Sequence, residues 1–144
     1  MRILAIDYGS KGIGIAISDE LQMMARPLTT IRRERMKMSE IYDRISSLVQ
    51  ENQAGELVVG MPLNMDGSRG DAAISVEKFI SKLKEKMEIP VFAVDERLTS
   101  YEADQILREM GVGERERRAR SDEYAAMIIL QDFLDQKSRQ AAGK

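Results

Sequence analysis

The chain has 144 residues, with 22 Lys+Arg, 24 Asp+Glu and a net charge of −2. That suits one domain with a substantial core, spanning 1–144, and excludes a globally basic nucleic-acid coat. There is no Cys and no His, so disulfide frameworks, thiolate nucleophiles, Ser-His-Asp triads and His- or Cys-ligated metals are excluded. Any catalysis must use carboxylates, Lys, Arg, Tyr, hydroxyls, backbone groups or an oxygen-ligated hard ion such as Mg²⁺ or Mn²⁺.

Ile3–Ile6 is a short β-branched-rich run, typical of a central strand, and Asp7 is expected to end it. Its early interruption argues against a leader peptide, and no stretch approaches roughly 18 apolar residues, so a cytoplasmic protein is expected. Gly9–Gly12 reads as a turn and Ile13–Ser18 as a second strand, which at this spacing can only pair antiparallel. Leu28–Ile31 follows as a weaker third strand. Ser39 is the expected N-cap of a helix with Ile41, Ile45, Leu48 and Val49 on one face, stopped by Ala54-Gly55. Leu57–Gly60 is the next buried strand, ended by Pro62.

The Gly-, Asn- and Asp-rich loop to Gly70 leads into a helix with Val76, Phe79, Ile80, Leu83 and Met87 on one side. Pro90 ends it, and Val91–Val94 is another buried strand. Thr99 and Glu102 have the spacing of a capping box for a helix closed by Gly111. An arginine run follows, and Ser121 caps a last helix with Ala125, Ile128, Ile129 and Phe133 inward. The order β-β-β-α-β-α-β-α-α implies an α/β fold: a mixed sheet of about five strands, antiparallel on one side and parallel on the other, with helices on its faces.

This topology brings acids together. Asp7 and Asp95/Glu96 fall at the C-terminal ends of strands that should run parallel, where open α/β sheets bind ligands. Asp122 shares a helical face with Ala125, Ala126 and Ile129, which aims it at the sheet. Each acid alone is accounted for as a turn or helix-start residue. Together they would repel and raise one another's pKa unless a divalent cation neutralised them. Two such ions roughly 4 Å apart can activate a water and stabilise the leaving oxygen of a phosphodiester.

Other motifs are less specific. The loop Gly60–Gly70, with Asn64 and Arg69, could grip phosphate. Arg115, Arg117, Arg118 and Arg120 border Asp122 as a phosphate-tracking patch would, although such runs are usually solvated faces. A second basic cluster runs from Arg26 to Lys37. The Asp7-Tyr8-Gly9-Ser10 turn resembles that of actin-like ATPases, but those close two lobes over a nucleotide and this chain has length for one.

Four ordered segments carry a sharper resemblance: Ile6–Asp19, Val59–Gly67, Val94–Ser100 and Asp122–Gln131. They are similar to the YqgF/RuvX family of bacterial proteins, named first for Holliday junction resolution and later for pre-16S rRNA cleavage. The resemblance implies an RNase H-like fold and a metal-dependent nuclease maturing the 5′ end of pre-16S rRNA in ribosome biogenesis. It places the family's acids on Asp7, on Asp95/Glu96 and on Asp122, and a phosphate-near loop on Gly60–Gly70. Many members have Lys/Thr-Arg-Ile-Gly where this chain has Lys11-Gly12-Ile13-Gly14, so Lys11 is the cation left to serve there.

Adjacent strand residues face opposite sides, so periodicity leaves Asp95 and Glu96 open. The longer reach of Glu96 favours it as the metal ligand beside Asp7 and Asp122, with Asp95 orienting Arg97 or adding a ligand. Lys11 and Arg97 join the loop and arginine-run residues as expected nucleic-acid contacts. Expected partners are RNA, including RNA within a ribosomal precursor particle, or branched DNA, with the protein a monomer or homodimer and no membrane involved. A resolvase acting on branched DNA and a non-catalytic nucleic-acid-binding module are the alternative functions.

Overall fold

The computed structural model describes residues 1–64, 66–96 and 105–142. The elements are β1 (Arg2–Tyr8), β2 (Gly12–Ser18), β3 (Ala25–Arg32), α1 (Met38–Glu51), β4 (Ala54–Met61), α2 (Asp71–Lys86) and β5 (Val91–Asp95). A helical turn at 105–109, here α3, is followed by α4 (Glu114–Ala119) and α5 (Ser121–Ala142). The sheet order is β3-β2-β1-β4-β5. β1 pairs antiparallel with β2, and β2 with β3. β1–β4 and β4–β5 are parallel. The expected mixed five-stranded sheet is what forms.

Strand alternation divides the interior into two layers. Leu4 and Ile6 of β1, Ile13, Ile15 and Ile17 of β2, and Leu57 and Val59 of β4 face α1 and α2, where they meet Ile41, Ile45, Phe79 and Leu83. Full burial of an aliphatic side chain such as Ile45 or Leu83 is worth roughly 2 kcal/mol. The other face carries Ile3, Ala5, Ala16 and Val58 against Ala126, Met127, Leu130 and Leu134 of α5. On β2 this face reads Gly12, Gly14, Ala16, Ser18. Its small residues let α5 lie close across β1, β2 and β3.

Several boundaries differ from expectation, each for a local reason. β1 runs through Asp7 to Tyr8, because the hairpin partner continues to pair Asp7 with Gly14 and Tyr8 with Ile13. Ser39 lies inside α1; Lys37 holds the N-cap position, and its N–H donates to the Glu40 side chain at 3.2 Å. Ala54 and Gly55 do not stop α1. The helix ends at Glu51, the chain reverses through Asn52 and a left-handed Gln53 (φ 54°), and Ala54 already belongs to β4. The arginine run is helical (α4), since Glu114–Arg118 and Glu116–Arg120 form i,i+4 ion pairs along it. Thr99 and Glu102 lie outside the described residues. Gly111, with φ 81°, does close α3.

Candidate active site

Asp7 continues the Ile3–Ala5 row of β1 and so faces α5. Its cross-strand neighbour on β2 is Gly14. On the other side Ile6 pairs with Val59, which brings Gly60 of β4 alongside Asp7. Both strands flanking Asp7 therefore lack a side chain beside it, and two other acids occupy the space. Asp122, at the start of α5, lies over β2: a Cβ on Gly14 would stand 1.8 Å from the Asp122 carbonyl oxygen, and one on Gly12 would stand 2.6 Å from its Oδ2. Glu96, just past β5, reaches over β4: a Cβ on Gly60 would stand 2.6 Å from Glu96 Oε2 and 2.7 Å from Ile129 Cδ1. The Glu96 N–H donates to the Met61 carbonyl at 3.1 Å, fixing its approach.

The carboxyls of Asp7 and Glu96 are hydrogen-bonded to each other. Burial pushes Glu96 up to about 8, and the adjacent Asp7 charge, the shared hydrogen bond and the Asp95 charge act in the same direction. Burial and the Asp122 charge push Asp7 up to about 6, against the hydrogen bond from Glu96. Both carboxyls are pushed toward the protonated form, so the pair favours holding a proton between them. Asp95 is exposed and pairs with Met61 in the parallel ladder. Its neighbour Val94 packs on the α5 side, so alternation turns Asp95 to the other face and brings Glu96 back to Asp7.

The oxygen-only donors of Asp7, Glu96 and Asp122 come from three separate elements around a glycine-lined gap, which suits a hard divalent cation. Among the described residues no three acidic side chains already close into a cation cage. Asp7 and Glu96 meet directly, while Asp122 reaches Asp7 through its charge. A proton held between two carboxylates occupies the place where a cation's charge would be most favourable.

The remaining sequence candidates are placed as follows. Lys11 is exposed at the β1–β2 tip, its carbonyl accepting the Arg33 N–H at 3.0 Å. Asn64 closes its own loop, donating through Nδ2 to Ser68 Oγ at 3.0 Å. Arg69 pairs with Glu77 of α2 at 2.9 Å. Arg115 is exposed on α4. Arg117 donates to the Val112 carbonyl at 2.9 Å. Arg118 pairs with Glu114 at 2.7 Å. Arg120 lies between Glu123 (2.5 Å) and Glu116 (3.6 Å), over the Tyr124 ring. Much of the arginine run is thus engaged by neighbouring glutamates. Arg97 lies outside the described residues.

Two features were missed in the sequence. Gly14 and Gly60 are spacers for acids on neighbouring elements; the small residue at every second position of β2 was the available signal. Arg33 clamps the chain just beyond Asp7. Its guanidinium donates to the Gly9 carbonyl (2.7 Å) and the Tyr8 hydroxyl (3.0 Å) and lies 4.6 Å from the centre of the Tyr8 ring. That ring stacks on Phe79 at 4.0 Å.

The RuvX family, described as "Holliday junction resolvase", matches residues 1–136. A Roseiflexus sp. (strain RS-1) protein named "Putative pre-16S rRNA nuclease" is 46% identical over 134 residues, covering 93% of this chain and 94% of that one. A protein of the same name from Lachnospira eligens is 39% identical over 140 residues, covering 96% and 100%. Among solved structures, T. thermophilus RuvC in complex with Holliday junction substrate is similar with a TM-score of 0.59 at 15% identity, over 95% of this chain and 96% of that one. At that identity the likeness concerns fold, which is RNase H-like.

Proposed function

The chain belongs to the RuvX family, and from that premise we propose that it is a divalent-metal-dependent nuclease acting on pre-16S rRNA. The observation that carries the reading is the half-buried Asp7–Glu96 pair, sharing a hydrogen bond between two glycine-lined strands with Asp122 laid over a third glycine. Asp7, Glu96 and Asp122 would hold Mg²⁺ or Mn²⁺, and Asp95 would act on Glu96 through its charge. The bound ion would supply water activation and neutralise charge on the leaving oxygen of a phosphodiester. For both carboxylates to act as ligands, Glu96 would have to give up its proton. Lys11 and Arg115, both exposed, would hold flanking phosphates. Asn64, bonded to Ser68, and Arg69, paired with Glu77 of α2, would add contacts from the loop after β4.

The RNA substrate rests on the relatives' names. No described helix is long and apolar enough to cross a membrane; action on ribosomal precursors would place the protein in the cytoplasm. The test is digestion of precursor 16S rRNA with and without Mn²⁺ by the wild type and Asp122→Asn. Cleavage that needs both the ion and the carboxylate supports the proposal; equal cleavage by the variant refutes the site. The family description favours a second reading, resolution of branched DNA. That needs two sites related by a dyad and hence a dimer. A monomer by light scattering, inactive on four-way junctions, removes it.

A further inference from the structure

Among the described residues, most large apolar side chains that the fold leaves in water are gathered around the β2–β3 turn, at the end of the sheet away from the acids. The β2–β3 turn displays Leu21, Met23 and Met24, exposed by 78%, 65% and 71%, and α3 adds Met110 at 61% beside Ile106. This turn is not loose. Asp19 Oδ1 accepts the N–H groups of Met23 (2.7 Å) and Met24 (3.0 Å). Gln22, held at φ 58°, donates to the Met1 carbonyl (2.8 Å) and accepts from Lys137 Nζ (2.9 Å). Gln131 of α5 grips both sides, accepting from the Ala25 N–H (2.9 Å) and donating to the Met23 carbonyl (3.2 Å). The left-handed Gln22 and this ring of side-chain clamps fix the shape of the turn. They hold methionines in water in a fixed arrangement, which lowers the entropy cost of docking a partner.

Beside the turn is a groove of about 370 Å³ with Met24, Ile106, Met110, Met127 and Ile128 among its lining residues. Its polar lining is Gln131, Asp132 and Asp135, so among the described residues it has two carboxylates and no cation. Both aspartates are exposed, and each accepts a hydrogen bond from a neutral glutamine amide, which does not cancel its charge. Arg139, one turn on, turns its Nε to the Asp135 carbonyl at 3.3 Å. An apolar floor with an acidic rim repels nucleic acid and complements a lysine- or arginine-bearing amphipathic helix.

We propose that the clamped Leu21–Met24 turn and the adjoining Met24–Met110 groove form a docking surface for a basic amphipathic helix of a protein partner. The groove's first lining residue on α5, Met127, lies five residues beyond Asp122, roughly 8 Å along the helix and about 140° round it, so the groove faces away from the acids and leaves their site open to substrate. The surface is independent of the nuclease reading: it would hold a catalyst or an inert module to the same partner.

The test uses the full chain and a model peptide of leucines and lysines at helical spacing, with its glutamate counterpart as control. Binding is followed by fluorescence anisotropy and mapped by backbone amide NMR shifts. The expected result is binding of the lysine peptide alone, with shifts confined to residues 21–25, 106–110 and 127–135. Met24→Asp and the double variant Asp132→Lys/Asp135→Lys should each weaken it tenfold or more, while Phe92→Asp, at an exposed apolar site elsewhere, should not. All are surface changes, and circular dichroism reports whether the fold is kept. Equal binding of the glutamate peptide, shifts spread over the molecule, or unchanged affinity in Met24→Asp would overturn the proposal. A wild-type dimer dissociated by Met24→Asp would assign the patch to self-association and overturn it equally.

Discussion

Replacing Asp7 with Asn should stabilise the metal-free protein while destroying its response to metal. Asp7 is raised from 3.8 to about 6 by burial and by the Asp122 charge. At about 1.4 kcal/mol per pKa unit, ionising it at pH 7 costs the fold at most about 3 kcal/mol. Structural relaxation around the coupled pair reduces what can be recovered to about 1–2 kcal/mol. The sign is fixed by the direction of the shifts. Both folded-state values lie above the unfolded ones, so the contribution is complete in acid and is lost as pH rises through about 6 and then about 8. Wild-type protein in EDTA should lose urea stability between pH 5 and 8.5, and Asp7→Asn should lose less and be the more stable of the two at pH 8. Adding Mn²⁺ should reverse the order, because only the wild type gains binding energy. A variant less stable than wild type at pH 8 in EDTA would show that the carboxylates are not in conflict, and the reasoning would fail.

Further expectations follow from the same geometry. Glu96→Gln should abolish Mn²⁺ uptake in calorimetry while Asp95→Asn retains it; the reverse pattern would exchange their roles. Gly14→Ala forces a methyl against the Asp122 carbonyl, so α5 must shift, and thermal unfolding should show a loss of about 1–3 kcal/mol. An unchanged melting point would contradict the close approach. Arg33→Met removes charge-assisted hydrogen bonds to Gly9 and Tyr8 and the contact with the Tyr8 ring, at a cost of about 1–3 kcal/mol. Denaturant titration reads that directly, and a neutral result would leave Arg33 without a clamping role.

Much of this arrangement can be read before any coordinates. The continuous apolar runs of β1 and β4 mark buried strands, while that of β5, expected to be buried as well, belongs to an edge strand in which only Val91 is buried; the short hairpin turn forces β1 and β2 antiparallel. Asp7 and Glu96 then emerge at one edge because parallel strands end together, and the spacing from Asp122 to Ile129 turns that acid inward. What the sequence conceals is relational. Ser39 looks like a cap because serine usually is one, yet Glu40 bonding back to Lys37 starts the helix earlier. Ala54-Gly55 looks like a stop, yet the reversal is made by Gln53 in a left-handed conformation that propensity does not foresee. The arginine run looks available for phosphate until the helix aligns Glu114 and Glu116 with Arg118 and Arg120. The choice between Asp95 and Glu96 depends on which face the strand end presents, and pairing of Val94 with Gly60 supplies it.

The most direct test of the central claim is a count of protons. Mn²⁺ binding at pH 7 is measured calorimetrically in two buffers of different ionisation enthalpy, whose difference gives the protons released. If a cation replaces the proton shared by Asp7 and Glu96, the wild type should release about one proton per binding event and Glu96→Gln none. Uptake of Mn²⁺ without proton release, or no uptake at all, would contradict the account.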